Sequence, residues 1–491
     1  MNIFESNYWS AYLDFLEDFQ SLQYKGYTIA HLCHFRSLIG KNAKVLAALE
    51  KATFRKVLRN RVTDSTQVQA VFNHFKASHQ VPVNKKPNGK IIFHDVYNLM
   101  RIPNETYTKY FQKHRTLIVK EKASKLKEEK LKQKSAMKKG ARMKKKAPSK
   151  TVKSASPPVQ YFDAYQKHPR TSAISQAKLH ATKLLKKFPN HPIYQDANFR
   201  KVLWIQISKI ILRVEEATQL FRSLSVSAIV VPSTHYPESR TFVMVAAKHG
   251  VPTICMQHGI VSGEFGYLPK IADVDAVYGR FEVDWYISKG VKPKGVAIIG
   301  HPRFDLIHKP AKSSKAKLVR QLGLDPKKKT VLVIVRGGSQ VKSWRKFLDR
   351  LHGKSKVNII VKDYPSSKSQ RLVKSNPYIF SAQGLQLYDL LHLSDAVVSY
   401  SSTVGLEAML AKKPVFILNE PFPGYSGYYT ILGKLVQSNP VRLADLVTSY
   451  FHTNDMKVYV RNKEKAFLDR SYNQKHPAGK RLAGLIHHMT N

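Results

Sequence analysis

Behind the apolar run Asp395-Ala-Val-Val-Ser-Tyr400 comes Ser401-Ser-Thr-Val-Gly-Leu-Glu-Ala-Met-Leu-Ala-Lys-Lys-Pro414. A β-rich run followed by hydroxyls, a glycine and a helix is how an α/β sheet offers a helix N-terminus to an anion. Ser401, Ser402 and Thr403 can cap that helix. Glu407 falls within its first two turns, where a carboxylate accepts hydrogen bonds from ligand hydroxyls. The chemistry expected here is the holding of a nucleotide-activated donor.

A second candidate centre is Gln257-His258-Gly259-Ile260, delivered by the strand that ends at Met256 and continued by Gly263, Glu264, Gly266, Tyr267 and Pro269. Ligands of open α/β sheets sit at the carboxyl ends of strands, and an oriented imidazole there can take a proton from an attacking hydroxyl. The bland alternative is that His258 only closes the strand end. Glu238 and Glu264 are candidates to orient His258 or to receive acceptor hydroxyls; each reads equally well as an ordinary surface carboxylate. In Gly300-His301-Pro302-Arg303-Phe304-Asp305, Arg303 either carries phosphate charge or is pinned structurally by Asp305.

Further along, Arg336-Gly337-Gly338-Ser339 follows a strand and can wrap a diphosphate through backbone N–H groups and the guanidinium. Lys362, behind the next strand, can reach the same phosphates. Leu387 or Tyr388 can touch a base or simply pack. The segment 336–339 lacks the Gly-Lys-Ser/Thr ending of a Walker A loop, and there is no HExxH, Gly-x-Ser-x-Gly or clear carboxylate pair. Hydrolase chemistry has little support. Displacement at a nucleotide-linked carbon or phosphorus fits better.

The elements that must position these groups alternate strand and helix. Strands are expected at 89–94, 116–119, 228–232, 252–256, 275–278, 296–300, 330–335, 357–361, 396–399 and 414–418. Helices are expected at 107–114, 174–187, 199–222, 238–249 and 282–289. Residues 1–85 read as a mostly helical accessory bundle without chemistry of their own, and 306–328 as the polar boundary between two halves. The end of the chain, helical after Arg442, can cross back to brace the first half.

Composition bounds the partners. The chain has 491 residues, 43% of them hydrophobic, and a formal charge of +49 from 82 Lys and Arg against 33 Asp and Glu. Self-repulsion on that scale calls for counterions or a polyanion nearby. Residues 120–153 are dominated by lysine and cannot bury apolar area, so they are a solvated arm or a contact for anionic lipid, worth about 1 kcal/mol per near-surface charge. Cys33 and Cys255 have no ligand spacing, which suits a reduced compartment and no metal thiolate. No signal-peptide pattern opens the chain and no window of about 18 apolar residues occurs. The expected location is cytoplasmic, with any attachment to the inner membrane face peripheral.

The Gln257-His258-Gly259 loop, the segment 300–305 and the run from Tyr400 through Gly405 to Glu407 together resemble the GT-B glycosyltransferase superfamily, in particular the bacterial CDP-glycerol glycerophosphotransferase, capsule and spore-coat polysaccharide synthesis group. The resemblance spans residues 225–435. It implies an α/β fold of two Rossmann-like doubly wound domains facing a cleft: a helical extension 1–85, an acceptor-side domain 86–310 carrying the basic insertion 120–153, and a donor domain 311–491. It implies His258 at the acceptor side, the serines near phosphate and Glu407 near ribose. It also implies a CDP-, CMP- or UDP-linked donor, no required cofactor or metal, and a polysaccharide or lipid-linked glycan acceptor. One departure is Lys362-Asp363-Tyr364-Pro365, where the group has Lys-x-His-Pro; a neutral tyrosine there favours transfer of a sugar over glycerophosphate. The competing classes are a nucleotide-sugar epimerase, which turns over without acceptor, and a polyanion binder, which would explain the charge but leave the strand-end motifs idle. Specific nucleic-acid recognition lacks any reading element.

Overall fold

The computed structural model describes residues 1–491 apart from 41, 122–155, 167–169, 312, 337–339, 364–371, 374, 375, 383 and 421. All but the first two residues of the basic run, together with Gly337, Gly338 and Tyr364-Pro365, lie outside the described residues.

The chain opens with the helix Ile3–Asp18, started by a reciprocal capping box in which Asn2 and Glu5 satisfy each other's backbone N–H. Tyr8, Tyr12, Phe15 and Phe19 recur at helical spacing on its buried side. A minimal hairpin, β1 (Gln23–Tyr24) and β2 (Tyr27–Thr28), and shorter helices up to Ser65–Ala77 complete the extension. It is not a separable bundle. Tyr8, Trp9 and Phe35 share one continuous core with Ile92 and Val231 of the first sheet and with Val245 of the helix Pro237–Lys248 that covers it. The sequence could not show this, because an aromatic helix face does not say what covers it. Within the extension the helix Ala43–Leu49 is followed by a 3-10 turn, Ala52–Val57.

The first sheet has seven parallel strands: β3 (Lys90–Asp95), β4 (Thr116–Lys120), β5 (Val159–Tyr161), β6 (Val226–Val231), β7 (Thr253–Met256), β8 (Val274–Val277) and β9 (Val296–Ile298), in the order β5-β4-β3-β6-β7-β8-β9. Every residue of β6 is buried, as a parallel strand covered on both faces requires. The helix Ala197–Ser223, capped by Asp196 on Phe199 N at 2.8 Å, buries Leu203, Ile207, Ile210, Ile211 and Val214. β5 was not expected; three residues of exposed and half-exposed pattern carry no periodic signal.

The second sheet has six parallel strands: β10 (Lys329–Val335), β11 (Val357–Asp363), β12 (Ile379–Ser381), β13 (Ala396–Tyr400), β14 (Val415–Leu418) and β15 (Val436–Gln437), ordered β12-β11-β10-β13-β14-β15. Between the sheets the expected polar boundary contains a helix, Lys315–Leu322, capped by Ser314 and ended by Gly323 at φ 68. The last helix, Ala478–Thr490, returns to the first sheet, where Leu482 and Ile486 pack with Ile91, Phe93 and Ile254.

In both sheets chain order reverses once, between β3 and β6 in the first and between β10 and β13 in the second. A crevice opens at the carboxyl ends of the strands at such a point. These two crevices face each other.

Candidate functional site

On the second-sheet side, the turn after β13 leads into the helix Thr403–Leu410. Ser402 is its N-cap, its Oγ accepting from Val404 N at 3.3 Å. Ser401 Oγ donates to Asn419 Oδ1 at 2.9 Å, tying the turn to the end of β14. Tyr429 threads its hydroxyl between turn and helix, donating to Ser402 O at 2.6 Å and accepting from Leu406 N at 3.0 Å. A Cβ on Gly405 would lie 2.7 Å from that hydroxyl, so the glycine is what lets Tyr429 in. Glu407, with 4% of its surface exposed, accepts from Arg303 Nη2 at 3.0 Å across the cleft.

Arg336 follows β10, its guanidinium 5.9 Å from the Tyr400 ring centroid. Lys362, near the end of β11, donates to Leu385 O at 2.7 Å, and burial lowers its pKa.

On the first-sheet side His258 stands just past β7. Its Nδ1 lies 2.9 Å from Pro232 O. A carbonyl can only accept, so Nδ1 carries the proton and Nε2 the lone pair. Burial, with Arg101 and Arg303 adding repulsion, pushes its pKa down to about 4. The imidazole is neutral at physiological pH. Its loop is pinned by Tyr267, whose hydroxyl lies 3.0 and 2.9 Å from Gly259 O and Ile260 O. Ile260 N donates to Thr403 Oγ1 at 3.2 Å, so the helix start and the histidine loop touch across the lobes. Below them Glu264 N donates to Gly424 O at 2.9 Å, and Ser426 N to Ser262 O at 3.0 Å, closing the cleft floor.

The cleft has a volume of about 1190 Å³. His258, Gly259, Arg303, Arg336, Lys362, Ser401, Ser402, Thr403 and Glu407 line it together, with Tyr388 between the two walls. Glu238 and Glu264 do not. Glu264 is buried under the N-terminal extension, held by Trp9 Nε1 at 2.9 Å, Ser65 Oγ at 3.4 Å and the Lys289 ammonium. Glu238 accepts from Tyr97 Oη at 2.8 Å and pairs with Lys209 at 2.7 Å. Neither reaches His258 as an orienting carboxylate; a backbone carbonyl fills that role. The suggested Arg303–Asp305 pair is corrected too: Asp305 instead caps the last helix, accepting from Ala478 N at 3.0 Å and Gly479 N at 3.1 Å. Gln257 is structural, bridging Glu282 at 3.1 Å and Tyr278 N at 3.1 Å.

Sequence reasoning missed Arg101, Tyr236 and Lys309, which also line the cleft. Arg101 lies in the loop after β3 and Tyr236 in the loop after β6, the two loops of the first switch point. Both strands are legible in the sequence, but the spatial order that brings their loops together is not. Among the described residues no group of three His, Cys, Asp or Glu is arranged to hold a metal ion, and no helix is long and apolar enough to cross a membrane.

No family model matches the chain, and no curated protein matches it by sequence. Solved structures do. The glycotransferase of kitacinnamycin aligns with TM-score 0.50 at 11% identity, over 82% of this chain and 99% of that one. The wall teichoic acid polymerase TagF aligns with TM-score 0.45 at 14% identity, over 91% and 96%. A UDP-N-acetylglucosamine 2-epimerase aligns with TM-score 0.47 at 10% identity, over 79% and 95%. At these identities the likeness concerns fold: two mostly parallel sheets, each flanked by helices, in a GT-B-like doubly wound arrangement with a helical extension.

Proposed function

We propose that the protein is a nucleotide-donor-dependent transferase that moves a sugar to a hydroxyl of a growing cell-surface glycan. The observation carrying this is that the free Nε2 of His258 and the capped helix start at Ser402 share one cleft between two sheets. In this reading residues 86–310 are the acceptor half and 311–491 the donor half. The donor diphosphate lies against the Thr403–Leu410 helix N-terminus, with Arg336 and Lys362 as counter-charges and Glu407 on the ribose. The acceptor oxygen attacks the anomeric carbon as Nε2 of His258 takes its proton, and the carbon–oxygen bond to the diphosphate breaks. The leaving nucleotide keeps that electron pair, stabilised by amide N–H groups and cations. Arrival of the diphosphate also offsets the repulsion from Arg303, making His258 a better base as the donor seats. The Lys-rich segment would bring the enzyme to an anionic inner membrane face.

Thermal shift with UDP-, CDP-, GDP- and CMP-linked sugars, followed by turnover with and without glycan acceptor, tests the proposal. A nucleotide that binds, with release that requires acceptor, supports it. Turnover of a UDP-sugar without acceptor would instead mark an epimerase. A chain that binds none of these nucleotides has no donor site.

A further inference from the structure

The first-sheet wall holds an element that donor binding leaves unused. After β3 the loop passes three non-glycine residues through the left-handed region: Tyr97 (φ 54), Asn98 (φ 55) and Arg101 (φ 47). Side chains disfavour that conformation, which persists only where surrounding contacts over-determine it, and it clusters at ligand sites. The contacts here are specific. Asp95 Oδ1 accepts from Met100 N at 3.2 Å, and Leu99 N donates to Val96 O at 3.1 Å. The Tyr97 hydroxyl donates to buried Glu238 at 2.8 Å and accepts from Lys209 at 3.2 Å. So Tyr97 is fixed at its tip while 46% of it stays exposed. Its ring stands 4.9 Å from that of Tyr236, which lines the cleft with His258 and Arg101.

Charge on this wall is one-sided. Among the described residues from the first half that line the cleft, the basic side chains are Arg101, Arg303, Lys309 and His258, and there is no carboxylate. Arg303 is matched by Glu407 and Lys309 by Glu105. Arg101 is exposed and has no ion pair or side-chain hydrogen bond among the described residues. A cation held on a constrained loop over a carboxylate-free wall favours an anionic ligand. Two tyrosines beside it offer apolar faces for the C–H side of a sugar or polyol.

We infer that Tyr97, Arg101 and Tyr236 form an acceptor subsite beside His258, built for a glycan or polyol unit that carries a negative charge. This rests on the transferase reading above, and Glu238 acts in it as a positioning residue through Tyr97. The shared chemistry is a carboxylate or a phosphate on the unit that enters.

Calorimetric titration of the full chain with trigalacturonate and sn-glycerol 3-phosphate, each against its neutral counterpart maltotriose or glycerol, tests it. Expected is a preference of about tenfold or more for an anionic probe over its neutral partner. The two pairs separate carboxylate from phosphate recognition. Arg101→Gln should erase the preference. Tyr97→Ala should weaken the preferred probe about fivefold, and Tyr97→Phe, which keeps the ring but loses the tether to Glu238, should weaken it less. Circular dichroism confirms that each variant is folded. Equal binding of charged and neutral probes, no binding of either anionic probe, or a preference that survives Arg101→Gln would overturn the subsite. Nucleotide affinity, read in the same samples, stays within about twofold in these variants. If the wild-type chain binds an anionic probe but no nucleotide, the transferase reading fails and the anion preference of this wall stands.

Discussion

The two walls of the cleft are built on the same plan, parallel strands reversing order at a switch point, yet they are chemically unlike. The second-sheet wall is a capped helix start with serines, a threonine, Arg336 and Lys362, and it includes three carboxylates, Asp363, Asp389 and Glu407. The first-sheet wall has cations, a neutral imidazole and Tyr236, set beside a constrained loop that carries Tyr97 and Arg101, and no carboxylate among its described lining residues. A nucleotide has hydroxyls for carboxylates to receive and phosphates for amides and cations to hold, so the mixed wall suits it. The acid-free wall suits something anionic that arrives with a hydroxyl to be deprotonated. The walls meet at Arg303–Glu407 and at Ile260–Thr403.

If the walls divide the work, damage to each should read out differently. The largest effect is expected for His258→Ala, which should lower kcat about 10²- to 10⁴-fold while nucleotide affinity holds; unchanged turnover would take His258 out of the mechanism. Glu407→Ala should do the reverse, weakening nucleotide binding about tenfold in a direct titration. If the two variants gave the same pattern, the division would be wrong. Gly405→Ala forces Tyr429 off the helix start and should cost about 1–3 kcal/mol in denaturant melts, with nucleotide affinity falling alongside.

Titration sharpens the contrast further. With the His258 pKa pushed down to about 4, the neutral base persists as pH falls from 8 to 6, so kcat/KM should be flat there and drop only below about pH 5. An acid limb centred near 6.5, the ordinary histidine value, would place the imidazole in water instead. The smallest effect lies away from the cleft. Glu464 accepts from Val415 N at 2.7 Å, and burial raises its pKa to about 8. A raised carboxyl favours folding below its unfolded value and loses that contribution as pH climbs through the folded one. Glu464→Gln should therefore match the wild-type Tm near pH 4 and exceed it increasingly as pH rises to 8.

Much of the scaffold was legible because its signals are local. Thr330-Val-Leu-Val-Ile-Val335 is a buried parallel strand by composition alone, and it forms β10. Ser402 caps where hydroxyls precede an apolar helix. The errors involve partners distant in sequence. Glu264 looked like a cleft carboxylate because it follows the histidine loop, yet Trp9, 255 residues away, holds it in the core. Asp305 looked like the mate of Arg303, but the last helix arrives with bare N-terminal amides and takes it. β5 has too few residues to announce itself.

Periodicity and end-capping are properties of neighbouring residues, so the strand and helix rhythm, the helix start at Ser402 and the strand-end place of His258 could be read from the order of amino acids. Which carboxylates face solvent, which face cations, and which loops converge beside the imidazole depend on strand order and on helices that return from either end of the chain. Those contacts form only when the core closes. That is why the pairing of Arg303 with Glu407 and the constrained loop bearing Tyr97 and Arg101 belong to the tertiary structure alone.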